Sequence, residues 1–365
     1  MLTTESIMEA LREVKDPELN KSLVSLNMIR NIQIQGNDVS LDVILTIRGC
    51  PLKIKIQEDV ENAIRQLGAE RVTVTFGAMT DEERATLSAS LRAEQHASRN
   101  NATPQGGKAP SAAPGIPQTN YIAIASGKGG VGKSTVTVNL AVALARAGKK
   151  VGIIDADIYG FSVPDMMGIE QRPTVIDDVI LPVERYGVKV ISMGFFVEDN
   201  APVVWRGPIL GKMLRNFLHE VHWGELDYLL LDLPPGTGDI ALDVHQMIPQ
   251  SKEIIVTTPH ATAAFVAARA GAMALSTTKH EILGVVENMS WYTDRNGDKE
   301  YVFGRGGGEK LAESLNVELL CQIPLGAPGN VLEDPEYSPS VYASNHPTGK
   351  LYDELARKVA QAVTT

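Results

Sequence analysis

The chain has 365 residues, 44% of them hydrophobic, which is enough for one large core and a smaller one. Its formal net charge of -10 at pH 7 argues against a dedicated nucleic-acid binder, and its two cysteines, Cys50 and Cys321, exclude a disulfide framework of the secreted kind. No apolar stretch reaches about 18 residues and the first residues lack a basic start and an apolar signal core, so we expect a cytoplasmic protein with no membrane partner.

The N-terminal region, residues 1–95, is predicted to form a small α+β domain. The stretch SIMEALREV has the spacing of an amphipathic helix, and Ser6 and Glu9 are placed as a capping box. Two strands are predicted around the turn residues Gly36-Asn37-Asp38, followed by a second helix and a third strand. After the first helix, these elements are Ile29–Ile34, Val39–Thr46, Leu52–Leu67 and Arg71–Phe76.

Residues 96–118 are predicted to be a flexible linker, because they are rich in Pro, Gly, Ala and Ser and show no hydrophobic period. Residues 119–365 form a second domain in which apolar, strand-like segments alternate with helical patterns. Such alternation indicates an α/β fold with a parallel sheet covered on both faces. The predicted strands are Tyr121–Ala125, Val151–Asp155, Tyr228–Asp232, Glu253–Thr257, Ile282–Glu287 and Val317–Ile323, and a helix is predicted over Val136–Ala147.

A glycine-rich motif, GKGGVGKST at Gly127–Thr135, lies between the first of these strands and the predicted helix. Glycines let backbone N–H groups turn toward an anion, and the spacing fits the phosphate-binding pattern GxxxxGK[ST]. We expect Lys133 to bridge the β- and γ-phosphates of a nucleotide, and the Ser134 hydroxyl to bind Mg²⁺. The predicted nucleotide-binding residues of this loop are Gly127, Lys128, Gly129, Gly130, Val131, Gly132, Lys133, Ser134 and Thr135.

Three aspartates are placed to complete this site, because the carboxyl ends of parallel strands border the ligand crevice of an α/β fold. Asp155 and Asp232 end predicted strands and are expected to hold Mg²⁺, directly or through water. Asp157, in the segment DADIYGFS, is expected to orient the water that attacks the γ-phosphate. The alternatives are an Asx turn for DADIYGFS and a structural role for Asp232. The loop Pro234–Gly238 is expected to sense the γ-phosphate.

Together these motifs resemble the deviant Walker A ATPases, and more narrowly the Mrp/ApbC-like iron–sulfur cluster carriers, which are P-loop NTPases. The shared motifs are KGGVGKST, DADIYG and PPGTGD, with VENMS at Val286–Ser290 and FGRGGG at Phe303–Gly308. The N-terminal region is similar to the MIP18-like domain often fused to these carriers, through VKDPEL at Val14–Leu19 and GCP at Gly49–Pro51. The resemblance covers nearly the whole chain outside the linker.

The resemblance implies a homodimer that closes around ATP, with Lys128 of one subunit reaching the phosphates of the other. It makes Lys128, Lys133 and Asp157 the catalytic residues. It also implies that Asn288 contacts the purine. The prediction of ATP rather than GTP therefore rests on the family resemblance. From its position alone, Asn288 is equally a turn residue after a strand. A cation supplied in trans stabilises the phosphates only in the closed dimer, which couples the nucleotide to assembly.

The family's cluster ligands are only partly present in this chain. Mrp-type carriers usually place a CxxC pair after the ENMS segment, where two subunits jointly hold a [4Fe–4S] cluster, but residues 291–304 contain no cysteine. Instead, Asn296-Gly297 predicts a hairpin with a tight turn between Trp291-Tyr292 and Tyr301–Phe303. Cys50 matches the GCP motif and is the remaining candidate iron–sulfur ligand, with a half-buried structural cysteine as the alternative.

The other cysteine and two closely spaced histidines could bind a metal, but we predict structural roles for them. Cys321 lies in an apolar predicted strand and is expected in the core. His219 and His222 have a metal-like spacing, but a helix end near Trp223 explains them as well. We therefore predict no zinc site there.

Two functions agree with the sequence. In the first, the chain is an ATP-hydrolysing carrier that delivers iron–sulfur clusters to apoproteins. In the second, it is a cluster-free, ATP-switched dimer that acts on DNA or on a regulatory protein; the missing cysteine pair and the segment DADIYGFSVPDMMGI resemble the SalA-type Mrp proteins in this respect. Arg206, Lys212 and Arg215 favour the second function, although a solvated helix face also explains them.

Overall fold

The structure is a computed structural model that describes residues 2–47, 52–100, 116, 118–157, 160–197, 207–236, 244, 246–275, 280–331 and 337–364. The chain divides into two compact units. The first contains Met1–His96 together with Thr174–Leu181, and the second contains Ala97–Pro173 together with Pro182–Thr365. A short segment from the middle of the chain therefore belongs to the first unit.

The first unit is a small α+β domain built on a three-stranded sheet. Its elements are α1 (Thr4–Leu11), β1 (Lys15–Asp16), β2 (Lys21–Ser22), β3 (Ile29–Gln35), β4 (Asp38–Leu45), α2 (Lys53–Arg65), β5 (Arg71–Ala78), α3 (Asp81–Asn100) and, further along the chain, β8 (Thr174–Ile176) and β9 (Val179–Leu181). The sheet order is β3-β4-β5, with β3 and β4 antiparallel and β4 and β5 parallel.

The core of this unit lies between the sheet and its helices. Alternate residues of β4 are buried, as expected for a strand with one face on a core. The helix α1 buries Ile7 and Leu11, and α2 buries Ile56, Val60 and Ile64. These residues are four apart, so they form one apolar stripe on each helix. The predicted order α-β-β-α-β is present, with further elements added to it.

The capping box of α1 differs from the prediction. Thr3 and Ser6 form it, rather than Ser6 and Glu9: the Ser6 amide donates to Thr3 Oγ1 at 3.1 Å, and the Thr3 amide donates to Ser6 Oγ at 3.0 Å. Thr3 is the N-cap residue, so the helix begins at Thr4, two residues before the predicted start at Ser6.

The helix α3 was not predicted, although its start carries a capping signal. The Glu83 amide donates to Thr80 Oγ1 at 3.3 Å, and the Thr80 amide donates to Glu83 Oε2 at 2.9 Å. The helix continues through His96 to Asn100, so its last turn lies in the stretch predicted as linker. Leu91 on this helix is fully buried, which explains why an otherwise polar sequence packs as a helix.

The second unit is an α/β domain with an eight-stranded sheet. Its elements are β6 (Asn120–Ser126), α4 (Lys133–Arg146), β7 (Val151–Asp155), α5 (Val163–Met167), β10 (Val183–Arg185), β11 (Val188–Ser192), α6 (Gly207–His219), β12 (Tyr228–Asp232), β13 (Lys252–Thr257), α7 (Ala261–Met273), β14 (Ile282–Glu287), β15 (Tyr292–Thr293), β16 (Lys299–Glu300), α8 (Gly307–Leu315), β17 (Leu319–Gln322) and α9 (Pro347–Thr364). The strand order is β10-β11-β7-β12-β6-β13-β14-β17.

The predicted fold class is confirmed, with one addition. Six of the seven strand pairs in this order are parallel, and every residue of β7, β12 and β14 is buried, as in a sheet covered on both faces. The addition is β10, an edge strand antiparallel to β11. The helix α4 packs against β6, β7 and β12, which places its first turn beside the ends of three central strands. Across the described ranges, no helix has both the length and the apolarity to cross a bilayer.

We predict that Glu253→Gln weakens the dependence of stability on pH. Glu253 lies on β13 with 2% of its surface exposed, and burial raises its pKa from an ordinary value of 4.5 to about 8. Between pH 4.5 and 8, Glu253 keeps its proton in the folded protein and loses it in the unfolded protein. The stability that Glu253 contributes is therefore complete below pH 4.5 and is lost as the pH rises through 8.

The stability difference between Glu253→Gln and wild type should therefore grow by up to about 5 kcal/mol in favour of the variant over this range. Urea unfolding at a series of pH values measures it. The control is Glu281→Gln, which removes an exposed carboxylate paired with Lys252 at 3.1 Å; Glu253 is intact in this variant, so the loss of stability toward pH 8 should remain. Parallel pH profiles for Glu253→Gln and wild type would show that the prediction is wrong.

Candidate functional site

The glycine-rich loop connects β6 to α4, as predicted, and two of its glycines, Gly127 and Gly132, are closely packed. A Cβ on Gly127 would collide with the backbone of Val266 and Ala267 in α7. Gly132 has a φ of 81° and lies against the Asn288 carboxamide, so a larger residue would be strained and obstructed. The loop is therefore held between α7 and the end of β14, and its chain direction changes at Gly132 to begin α4.

Three side chains contact Asp232, which is fully buried at the end of β12. Lys133 Nζ pairs with Asp232 Oδ1 at 2.7 Å. The Ser134 hydroxyl donates to Asp232 Oδ2 at 2.6 Å, and the Thr137 hydroxyl donates to Asp232 Oδ1 at 2.7 Å. The residues predicted from the loop and from the strand end are thus brought together. A buried ion pair is tolerated because further hydrogen bonds compensate for the lost water.

Asp155 lies beside Asp232, because the two residues are register partners on the parallel strands β7 and β12. Its Oδ2 accepts from the amides of Ser162 and Val163, at 3.1 and 3.3 Å, and from the Ser192 hydroxyl at 3.0 Å. Burial, and then the neighbouring Asp232, raise the pKa of Asp155 to about 7, while Lys133 opposes that shift. Two adjacent carboxylates and the Ser134 hydroxyl form a set of hard oxygen donors, which suits Mg²⁺.

The segment after β7 begins with the Asx turns that were the alternative for DADIYGFS. The Asp157 amide donates to Asp155 Oδ1 at 3.3 Å, and the Gly160 amide donates to Asp157 Oδ1 at 3.1 Å. Asp157 is half-buried, and its assignment to the attacking water stays a prediction. Of the loop predicted to sense the γ-phosphate, residues 237 and 238 lie outside the described residues.

The two lysines of the loop have opposite surroundings. Lys133 has 6% of its surface exposed and reaches into the site of its own chain. Lys128 is exposed, and its carbonyl accepts a hydrogen bond from Ser126 Oγ at 3.2 Å. An exposed ammonium at the rim of a phosphate loop can serve a partner molecule, whereas a buried one cannot.

Asn288 is buried against the loop. Its Nδ2 donates to the Val131 carbonyl at 2.9 Å, and its amide donates to the Thr257 carbonyl at 2.8 Å. The side chain therefore fixes the phosphate loop to the end of β14, a role that its sequence position did not reveal. The predicted contact with a purine is untested by this arrangement.

Glu287 connects the motifs VENMS and FGRGGG, and sequence reasoning missed it. This buried carboxylate accepts from the Gly308 amide at 2.6 Å, from Ser290 Oγ at 2.9 Å and from Gln322 Nε2 at 2.9 Å. A carboxylate at the start of α8 is also favoured by the helix dipole. The two motifs are therefore structural neighbours that fix the strand ends next to Asn288.

The hairpin predicted in place of the cysteine pair is present but shorter. Its strands are β15 and β16, with Tyr292 opposite Glu300, and residues 294–298 form the loop. The tight turn at Asn296-Gly297 is present, because the Gly297 amide donates to the Asp294 carbonyl at 3.2 Å. The second strand is Lys299–Glu300 and ends before Tyr301–Phe303. Asp294 Oδ1 also accepts from the amides of Asn296 and Asp298, at 2.9 and 2.8 Å, and these bonds stabilise the turn.

Of the two cysteines, Cys321 falls within the described residues. Cys321 on β17 is half-buried, and burial raises the pKa of its thiol to about 11, which disfavours the thiolate form that binds metals. Cys50 and Arg206 lie outside the described residues. Lys212 and Arg215 are exposed on α6. Within the described ranges, no group of three or more His, Cys, Asp or Glu side chains is arranged to hold a metal ion.

Comparison with known proteins matches both units. Residues 118–360 match the NUBPL iron-transfer P-loop NTPase family, and residues 4–76 match a family described as iron-sulfur cluster assembly protein. A Bacillus subtilis protein named iron-sulfur cluster carrier protein is 52% identical over 98% of both chains. A Mycobacterium leprae protein of the same name is 46% identical over 94% of this chain and 89% of its own.

A solved structure extends the comparison to a nucleotide complex. It is a nucleotide-binding protein from Archaeoglobus fulgidus in complex with ADP, 40% identical, with a TM-score of 0.50 over 66% of this chain and 87% of that chain.

Thr137 and Ser192 are further residues of the site that sequence reasoning missed. Thr137 follows Lys133 by one helical turn, so its spacing placed it on the same side of α4 as the loop. Ser192 ends β11 and has no sequence signal that relates it to Asp155. Only the pairing of β11 with β7 brings them together.

We predict that Thr137→Val weakens Mg²⁺-dependent nucleotide binding by about tenfold, as expected for removal of a group that orients a metal ligand. The hydroxyl that holds Asp232 is lost while the side-chain shape is nearly kept. Titration calorimetry with and without Mg²⁺ measures the effect. Thr137→Ser should restore binding, because it keeps the hydroxyl. Equal affinities for Thr137→Val and wild type in Mg²⁺ would contradict the role assigned to Thr137.

Proposed function

This chain belongs to the NUBPL iron-transfer P-loop NTPase family, and we propose that it is an ATP-hydrolysing carrier that delivers iron–sulfur clusters to apoproteins. The observation that carries the proposal is the meeting of Lys133, Ser134 and Asp155 around Asp232, in a chain whose relatives are named as carriers along almost their whole length. The names of the relatives favour the carrier over a regulator of DNA or of another protein. A solvated helix face then accounts for Lys212 and Arg215.

The site fits a Mg²⁺–ATP complex in its donors and in its shape. Mg²⁺ supplies charge stabilisation to the transferring phosphoryl group. Ser134, Asp155 and Asp232 are the residues that would hold it. The backbone N–H groups of the loop bind the phosphates, and the close packing at Gly127 and Gly132 keeps them in place. Lys133 moves from Asp232 toward the β- and γ-phosphates, which exchanges one anionic partner for another.

Hydrolysis is proposed to be slow and to be coupled to dimer closure. The exposed Lys128 reaches the phosphates of a second copy of the chain, so the site is completed only in the closed dimer. Asp157 orients the attacking water, and its turn with Gly160 places the carboxylate near the end of β7. The assignment of ATP rather than another nucleotide rests on family membership and on Asn288 beside the loop.

The cluster is cargo in this proposal, and Cys50 is its candidate ligand from this chain. One thiolate per subunit leaves a [4Fe–4S] cluster short of ligands even in a dimer, so the remaining ligands come from the client or from small thiols. This fits a carrier, because a cluster held by few protein thiolates is easily passed on.

We predict that anaerobic reconstitution with iron and sulfide loads the protein, and that Cys50→Ala reduces the iron bound by at least about half, because the proposed ligand is removed. Iron and sulfide analysis and visible absorbance measure loading, and recovery of activity by a cluster-free apoprotein measures delivery. Cys321→Ala is the matched control and should load normally. A folded wild-type protein that remains colourless and iron-free would overturn the carrier proposal.

We predict that Lys128→Ala keeps nucleotide binding but loses ATP-induced dimerisation and lowers kcat by about 10³-fold, the smaller end of the effect of a cation supplied in trans. Sedimentation with a non-hydrolysable ATP analogue and a phosphate-release assay measure both properties. Lys149→Ala, which changes another exposed lysine of the same unit, is the control. Full hydrolysis by a strictly monomeric variant would exclude the action of Lys128 in trans.

A further inference from the structure

One hairpin belongs to the first unit although the chain on both sides of it belongs to the second. The hairpin consists of β8 and β9, with Thr174 opposite Leu181 and Ile176 opposite Val179. Its turn contains Asp177, which has a φ of 53°. The chain thus leaves the second unit after Pro173, contributes two strands to the first unit, and returns at Pro182.

The inner side of this hairpin is part of the first unit's hydrophobic core. Ile176, Val179 and Leu181 have at most 1% of their surface exposed and join the same cluster as Ile7 and Leu41. Val175, between two inward-facing residues, is 47% exposed. The side chains therefore alternate with the period of a strand, and the hairpin is packed as a core element rather than as a surface loop.

Polar contacts hold the hairpin on the VKDPEL motif. Thr174 Oγ1 donates to Glu18 Oε1 at 2.7 Å. Glu18 is itself positioned by Asp16, whose Oδ1 accepts from the amides of Glu18 and Leu19 at 3.0 and 2.9 Å. An ion pair between Arg92 and Asp178 adds a contact from α3 to the turn. The VKDPEL motif of the first unit thus binds the hairpin through Glu18.

The segment that carries the hairpin is fixed at both ends by one carboxylate of the nucleotide site. At its start, Asp155 Oδ2 accepts from the amides of Ser162 and Val163, and at its end the same oxygen accepts from the Ser192 hydroxyl. The Ser192 Oγ in turn accepts from the Gly194 amide at 3.1 Å. The Asp155 carboxylate therefore contacts both ends of the segment 162–192.

The return path from the hairpin to Asp155 is short and stiff. Leu181 is followed by Pro182, which restricts φ, and then directly by β10. The strand β10 pairs with β11 over Val183–Arg185, and β11 pairs along its whole length with β7, so that Ser192 lies opposite Asp155. Pro182 therefore joins the hairpin directly to two paired strands, the second of which ends at Ser192.

We propose that residues 162–192 form an intramolecular coupling element through which Mg²⁺–nucleotide at Asp155 controls how tightly the β8–β9 hairpin packs in the first unit. The proposal rests on the nucleotide binding proposed above. A nucleotide-bound Mg²⁺ shell restricts the Asp155 carboxylate, and a restricted acceptor holds Ser162, Val163 and Ser192 in fewer arrangements. Both ends of the segment 162–192 are then less mobile, and the β8–β9 hairpin separates less often from the core of the first unit. Coupling of this kind is reciprocal, so loosening the hairpin also weakens nucleotide binding.

Hydrogen exchange of the full chain, followed by mass spectrometry, tests the proposal. Exchange is compared in Mg²⁺ alone and in Mg²⁺ with a non-hydrolysable ATP analogue. In wild type, the analogue should slow exchange by about fivefold in peptides covering Thr174–Leu181 and Lys15–Leu23, as well as in the phosphate loop. Ile176→Ala should lose the response at the hairpin and keep it at the loop. Val175→Ala, which changes the neighbouring outward-facing residue, should respond as wild type does.

Thr174→Val is the second variant, in case Ile176→Ala does not fold. It removes only the hydroxyl that bonds to Glu18, and it should reduce the hairpin response. Protection of the phosphate loop without any change at the hairpin in wild type would overturn the coupling and leave nucleotide binding intact. An equal hairpin response in wild type and both hairpin variants would also overturn it. No protection at the loop itself would contradict the proposed function as well as the coupling.

Discussion

The buried ion pair between Lys133 and Asp232 is the interaction on which the nucleotide site depends. Two opposite charges have been removed from water at the end of a central strand, and they are tolerated because the Ser134 and Thr137 hydroxyls bond to the same carboxylate. The pair joins the first turn of α4 to β12, and β12 has β6 and β7 on its two sides. The phosphate loop, the helix that follows it and the strand ends are therefore assembled around one carboxylate.

Asp155 extends this arrangement from a binding site toward the rest of the chain. It neighbours Asp232 in the sheet, and its other contacts are to the segment that carries the hairpin of the first unit. In a carrier that takes up and releases cargo, the bound nucleotide must change the conformation or stability of the region that binds the cargo. In the coupling proposed above, Asp155 serves both tasks, and the strands β7, β11 and β10 are paired between Asp155 and Pro182.

The region where Mrp-type carriers usually place a cysteine pair is a small hairpin in this chain. Lys299 Nζ lies 3.7 Å from the centre of the Trp291 ring, and the Arg305 guanidinium carbon lies 3.5 Å from that of Tyr301. Such cation–π contacts, together with the Asp294 turn, stabilise the loop through its own side chains. In the proposed function, cargo binding therefore falls to other thiolates, while Glu287 keeps the flanking motifs in place beside the phosphate loop.

The sequence by itself determined the elements that depend on local patterns. These are the phosphate loop, the strands that deliver Asp155 and Asp232, and the alternation that gives a parallel sheet, because glycine spacing and hydrophobic period act within a few residues. The tertiary structure decided what depends on residues far apart in the chain: the Ser192 bond to Asp155, the Glu287 network, and above all the hairpin of residues 174–181. This segment has two short apolar runs separated by Asp177-Asp178, and only the burial of Ile176, Val179 and Leu181 in the first unit decides which core they complete.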